Sequence, residues 1–202
     1  MPSLSELQKL GQSVWFDFIR RSLITSGELK ELVAQGVRGV TSNPAIFEKA
    51  IAGTADYDED IKALAPKDPS VDALYEILAI KDIQLAADVL APVYRSTAGR
   101  DGYVSLEVSP FLANDTDGTA VEAQRLFQAV DRPNLMIKIP ATTAGLPAIT
   151  ACIAAGVNVN VTLIFGIDNY QAVAEAYIAG LEQLALRGPS VRGGHPVGAV
   201  AS

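Results

Sequence analysis

Residues 157–164 read VNVNVTLI. Val157, Val159, Val161 and Leu163 alternate with Asn158, Asn160 and Thr162. Successive side chains of a strand point to opposite faces, so this strand carries one apolar face and one polar face. An open, doubly wound parallel sheet is covered by helices on both sides, and its strands are apolar throughout. A closed barrel whose interior serves as a site can accept inward polar groups. Asp17 in VWFDF, Glu107 in VSLEV and Lys138 in LMIKI interrupt otherwise apolar strands in the same way. The pattern predicts a (β/α)8 barrel, with the site at the C-terminal ends of its strands.

Strand and helix patterns alternate outward from that stretch, as parallel β/α architecture requires. Strands are predicted over 14–18, 37–41, 103–108, 135–139 and 157–164, and the tail VGAVAS starts a sixth. Helices are predicted over 25–35 (with Thr25 and Ser26 as capping residues and Gly36 as the stop), 44–64, 70–95, 118–130, 144–155 and 169–186. Arg187 to Pro196, rich in Gly, Arg and Pro, reads as a loop. No internal repeat is present, and residues 1–202 are read as one domain.

Composition narrows the function classes. The chain has 202 residues, 49% hydrophobic and 19% charged, which is globular and within the size of a single core. Its net charge is -7 with no long basic run, so a nucleic-acid-binding surface is not expected. One sugar phosphate can still be held by a few N–H groups and cations. Cys152 is the only cysteine, so no intrachain disulfide can form. The N-terminal MPSLSELQKLGQS lacks an apolar signal core, and no apolar run approaches the ~20 residues that span a bilayer. A soluble cytoplasmic protein without membrane contact is expected.

Lys138 lies between Ile137 and Ile139. Burial disfavours a charged ammonium, and a neutral amine attacks carbonyls to form imines. Taken alone, a lysine in a strand is more often one that snorkels outward. Asp17, Glu107 and Thr162, taken alone, are more often ion-pair or capping residues. Four strands supplying Lys, Asp, Glu and Thr to one barrel mouth is different: desolvating charges costs several kcal/mol each. Together they form a proton-transfer set around an amine nucleophile. In Thr41 to Phe47 (TSNPAIF), Asn43 precedes Pro44 and reads equally as a helix cap or a ligand-binding residue. There is no GxGxxG and no P-loop. His195 is the only histidine, so no histidine-ligated metal is expected; it reads as an incidental loop residue, and Cys152 as core.

VWFDFIRRSLI, GVTSNPAIFEKAI, SLEVSPFLANDT, LMIKIPATTAGLPAI and GVNVNVTLIFGIDNYQAVAEAY, in this order, resemble the transaldolase family. The resemblance is to its longer bacterial type, which also occurs fused to a sugar-phosphate isomerase. It implies a barrel of the class I aldolase type with Lys138 as the Schiff-base lysine on strand four. It implies Asp17 as acid–base group, and Glu107 and Thr162 as holders of the catalytic water. Asn43 and Asn160 would bind donor hydroxyls, with Thr41 and Ser202 also on the substrate. The substrates would be sugar phosphates, with no cofactor or metal. Family members continue through strands six to eight, where an arginine holds the substrate phosphate. The chain is therefore expected to be an N-terminal portion of the barrel, whether a fragment, a truncated gene or a partial sequence. The alternatives are a fructose 6-phosphate aldolase and a non-catalytic remnant.

Overall fold

The structure, a computed structural model, describes residues 4–187 and 199–201. The chain divides into two compact units, Met1–Val104 and Ser105–Ser202.

In the first unit the elements run α1 (Leu4–Lys9), β1 (Trp15–Phe16), α2 (Arg21–Thr25), α3 (Glu28–Gln35), β2 (Gly39–Val40), α4 (Pro44–Gly53), α5 (Asp58–Leu64), α6 (Val71–Ser96) and the start of β3 (Tyr103–Glu107). β1 pairs with β2, and β2 with β3, both parallel. The first two strands are shorter than the sequence predicts, so Asp17 and Thr41 lie just past their C-terminal ends. The helix predicted over 25–35 starts later. Thr25 ends α2, and Gly27 at φ 90 turns the chain before α3 begins. Gly36 at φ 119 closes α3, as expected of a residue free to adopt left-handed backbone.

The helix predicted over 44–64 is two helices. Thr54 takes extended backbone; its hydroxyl donates to the Ala50 carbonyl at 2.8 Å and accepts from the Asp56 N–H at 3.3 Å. Side-chain competition of this kind ends a helix that composition alone would continue. Ala50, Tyr57 and Leu78 then form a small core, with Ile51, Ile61, Leu64 and Leu74 packed around it.

In the second unit the rest of β3 is followed by α7 (Thr116–Val130), β4 (Leu135–Pro140), α8 (Gly145–Ala154), β5 (Val159–Thr162), α9 (Ile167–Leu186) and β6 (Ala199–Ala201). The strand order is β3-β4-β5-β6, with β4–β5 and β5–β6 parallel. Strand followed by helix, with sequential strands adjacent, is the build of a (β/α) barrel, here incomplete.

The two strand faces differ as the alternation predicts. Leu135, Ile137 and Ile139 are fully buried, with Val159 and Val161 on the same face across the β4–β5 register. Lys138 is in register with Asn160, and Pro140 with Thr162, on the other face. Ser105 and Glu107 on β3 extend that polar row. Asn160 Nδ2 donates to Ser105 Oγ at 3.0 Å, although β4 lies between their strands. Alternate strands stand about 9–10 Å apart. Two short side chains bridge that gap only if the sheet curls with its polar face concave, which is how a barrel interior forms.

Gly145 fixes the join between β4 and α8. A Cβ there would lie 2.1 Å from the Pro140 carbonyl oxygen, so only glycine lets the helix start this close to the strand end. Among the described residues, no helix is long and apolar enough to cross a membrane.

Candidate active site

Lys138 lies in the middle of β4, among residues that are almost all buried, and is itself only 8% exposed. Its Nζ is 3.2 Å from Glu107 Oε2. The amine is thus held on the concave face of the second unit with a carboxylate at hydrogen-bond distance. Such a carboxylate can accept an ammonium proton and return it. Asn160, fully buried, flanks Lys138 in register, and its amide is fixed through Ser105. Thr162 is buried two residues further along β5, on the same face. The second unit therefore places Lys138, Glu107, Asn160 and Thr162 on one strand face.

Ser105 shares that face without standing out in the sequence. It is fully buried two residues before Glu107, on the same strand face. Strand alternation was the available signal: any polar residue spaced by two from a candidate on a barrel strand shares its face.

In the first unit, Thr41 Oγ1 donates a hydrogen bond to Asp17 Oδ1. Asp17 is exposed just past β1, and Thr41 is buried just past β2. C-terminal strand ends are where barrel sites are built. Asn43 is the N-cap of α4: its Oδ1 accepts from the Ile46 N–H at 2.9 Å, with Pro44 in the first helical position. The capping role is therefore real, and Nδ2 is the part of Asn43 that can donate to a ligand. Ser202 and His195 lie outside the described residues.

Four residues beyond Asp17 the first unit holds a polar cluster that the sequence did not reveal. Arg21 is 9% exposed, and Asp82 and Tyr57 are fully buried. Arg21 Nε bonds to Asp82 Oδ1, Nη1 lies 2.5 Å from Asp60 Oδ2, and Tyr57 Oη donates to Asp82 Oδ2 at 2.7 Å. The guanidinium also sits over the Tyr57 ring, 5.2 Å from its centroid. Burial pushes the Asp82 carboxyl up, against the pull of Arg21 and Tyr57. Burial likewise works against the Arg21 cation, but its bonds to Asp60 and Asp82 prevail and hold it above its ordinary value. Lys81 first, and then Arg21, hold Asp60 below the usual carboxylate range. The partners are separated by 25 to 61 residues, so no local motif announces them.

Among the described residues, no group of three or more His, Cys, Asp or Glu side chains is placed to hold a metal ion. Cys152 is fully buried in α8, and burial pushes its thiol up to about 12, which fits the core role read from the sequence.

A family model described as Transaldolase/Fructose-6-phosphate aldolase matches residues 14–201. A transaldolase of Trichodesmium erythraeum is 53% identical over 189 residues, covering 93% of this chain and 50% of the relative. A transaldolase of Thermobifida fusca is 55% identical over 181 residues, covering 89% of this chain and 49% of the relative. One of Saccharopolyspora erythraea is 52% identical over 187 residues, covering 92% and 50%. The chain spans about half the length of these curated relatives. With the family model matched over most of its length and relatives more than half identical to it, the chain belongs to the transaldolase/fructose-6-phosphate aldolase family.

Proposed function

We propose that this chain works as a transaldolase, moving a dihydroxyacetone unit from sedoheptulose 7-phosphate to glyceraldehyde 3-phosphate through a Schiff base on Lys138. The observation that carries this reading is the buried Lys138 amine 3.2 Å from the Glu107 carboxylate, on a polar strand face. The names of the relatives support the same reaction.

In this mechanism Glu107 accepts the proton that the Lys138 ammonium must lose before attack. The neutral amine adds to the C2 carbonyl. Water then leaves with the help of a proton relayed by Glu107 and Thr162, giving the iminium. Asp17, oriented by Thr41, takes the C4 hydroxyl proton as the C3–C4 bond breaks. The bonding pair moves onto C3 and toward the iminium nitrogen, leaving an enamine on Lys138 and free erythrose 4-phosphate. The enamine carbon attacks the acceptor aldehyde, Asp17 returns its proton to the new C4 oxygen, and hydrolysis releases fructose 6-phosphate. Asn160 and the Nδ2 of Asn43 hold the hydroxyls of the three-carbon unit, and Ser202 contributes a further substrate contact. Every proton has a carboxylate or water to move to, so the steps need no cofactor. The setting is the non-oxidative pentose phosphate pathway in the cytoplasm, and residues 1–202 act as part of one barrel domain.

The test is reduction with borohydride in the presence of fructose 6-phosphate, followed by peptide mass analysis. A sugar-derived mass on the Lys138 peptide, absent from Lys138→Ala, is expected. A label on Lys49 or Lys62 with none on Lys138 would overturn the assignment.

A further inference from the structure

The loop that leaves β1 carries Asp17 and runs into α2 within four residues. α2 has only five residues, and Arg20 at its N-cap makes no side-chain capping bond. The first N–H groups of a helix need partners from outside it. Here those partners come from far along the chain. The Arg21 N–H donates to Tyr57 Oη at 3.1 Å, 36 residues on, and the Ser22 N–H donates to Asp56 Oδ2 at 3.0 Å, 34 residues on. The Arg21 side chain then reaches Asp82 and Asp60, and Tyr57 closes the ring by donating to Asp82. Between Asp17 and this anchor, Ile19 is fully buried and Phe18 packs edge-on against Phe16 at 6.2 Å. The Asp17 carboxylate is therefore held on one side by Thr41 and on the other by a short segment whose far end is fixed at several points.

A buried, charged cluster is a poor choice for stability alone, because apolar side chains of similar volume commonly do as well or better. What such a cluster does supply is direction: charge-assisted bonds fix a backbone in one place more narrowly than apolar contacts.

We propose that Arg21, Tyr57 and Asp82 are positioning residues for Asp17: they set the place of its carboxylate for removal of the C4 hydroxyl proton, without touching the substrate. This rests on the transaldolase reading above. A displacement of about 1 Å at a reacting group can cost on the order of a hundredfold in rate. Loosening the anchor should therefore slow carbon–carbon cleavage and leave imine formation at Lys138 intact.

Two adducts separate these steps. With fructose 6-phosphate, hydride reduction of the uncleaved iminium leaves a six-carbon chain on Lys138. If Asp17 has taken the C4 proton, glyceraldehyde 3-phosphate departs; protonation of the enamine at C3 restores an iminium, and reduction leaves a three-carbon chain. The ratio of the two masses at short times reads the work of Asp17 independently of how much protein is labelled. The wild-type chain should give mostly the three-carbon adduct and Asp17→Asn mostly the six-carbon one.

Tyr57→Phe keeps the ring and removes the hydroxyl that links Arg21 and Asp82. The pair Arg21→Met with Asp82→Leu replaces the ion pair by apolar side chains. Both should keep the label on Lys138 while raising the six-carbon to three-carbon ratio about tenfold or more. Should the double variant fail to melt cooperatively, Tyr57→Phe decides. Wild-type ratios in the variants, even with lower melting temperatures or weaker labelling, would show that the cluster serves only the fold. No label on Lys138 in the wild-type chain would remove the transaldolase reading itself, and this inference with it.

Discussion

Gly180 and Gly53 should respond to the same substitution with opposite signs. Both are helical, and alanine in a helix interior is favoured over glycine by about 0.8–1.0 kcal/mol. At Gly53, in the last turn of α4, an added Cβ meets nothing within 4 Å. Propensity then acts unopposed, and Gly53→Ala should stabilise by a few tenths to about 1 kcal/mol. At Gly180, in α9, the added Cβ would lie 2.6 Å from Ile153 Cβ, 2.8 Å from Ile153 Cγ2 and 2.9 Å from the Thr150 carbonyl oxygen. No side-chain rotation moves a Cβ or a backbone oxygen, and the Thr150 hydroxyl ties α8 to the Ala176 carbonyl of α9 at 2.9 Å. The two helices must separate, and overpacking of this kind costs about 1–3 kcal/mol. After the propensity gain, Gly180→Ala should be destabilised by up to about 2 kcal/mol. For a chain of this size that lowers the melting temperature by up to about 8 °C. Thermal and urea melts of the two variants beside the wild-type chain measure both effects. A Gly180→Ala chain melting at or above the wild type would refute the close approach of α8 and α9, and with it the argument from sterics.

With its thiol pushed up to about 12, Cys152 carries on the order of one part in ten thousand of thiolate at pH 8. A thiol reagent should leave it unlabelled in the folded chain and label it in urea; stoichiometric labelling without urea would contradict its burial. Asp60, held low by Lys81 and Arg21, contributes stability that is present above its unfolded value of about 3.9 and is lost as pH falls through its lower folded value. Lys81→Ala should move the Asp60 titration upward and raise the pH of acid unfolding, and a carboxylate titration by NMR that does not move would count against the pair. Glu107→Gln removes the proton acceptor beside Lys138 and should slow imine trapping by borohydride about a hundredfold or more; an unchanged trapping rate would take Glu107 out of the chemistry.

The strands that carry the candidate site were legible because one physical rule governs them. Period-2 alternation placed Asn160 and Thr162 opposite the valines of β5, and the same rule set Lys138 apart from Ile137 and Ile139. Glu107 stood out as a charge at the end of an apolar run, and Gly36 as a helix stop. Boundaries were harder to read. Val14 and Phe18 have strand-like side chains, but only Trp15 and Phe16 find ladder partners on β2. Thr54 ends α4 through bonds to Ala50 and Asp56, where the surrounding alanines and acids suggest continuity. The Arg21 cluster had no local signal, since an arginine, a tyrosine and an aspartate so far apart acquire meaning only when α2, α5 and α6 are packed. Asn43 reads from the sequence equally as a cap or a ligand-binding residue, and its bond to the Ile46 N–H establishes the cap.

The remote capping of α2 also bears on the order in which the chain takes shape during synthesis. Isolated helices shorter than about 12–15 residues are marginal in water, and α2 has five. Its first N–H groups wait for Asp56 and Tyr57, and the Arg21 side chain waits for Asp82, 61 residues later. A nascent chain that has emerged from the ribosome only as far as β2 therefore holds α2 as unstructured polypeptide. The segment bearing Asp17 settles only after α6 has emerged to receive it.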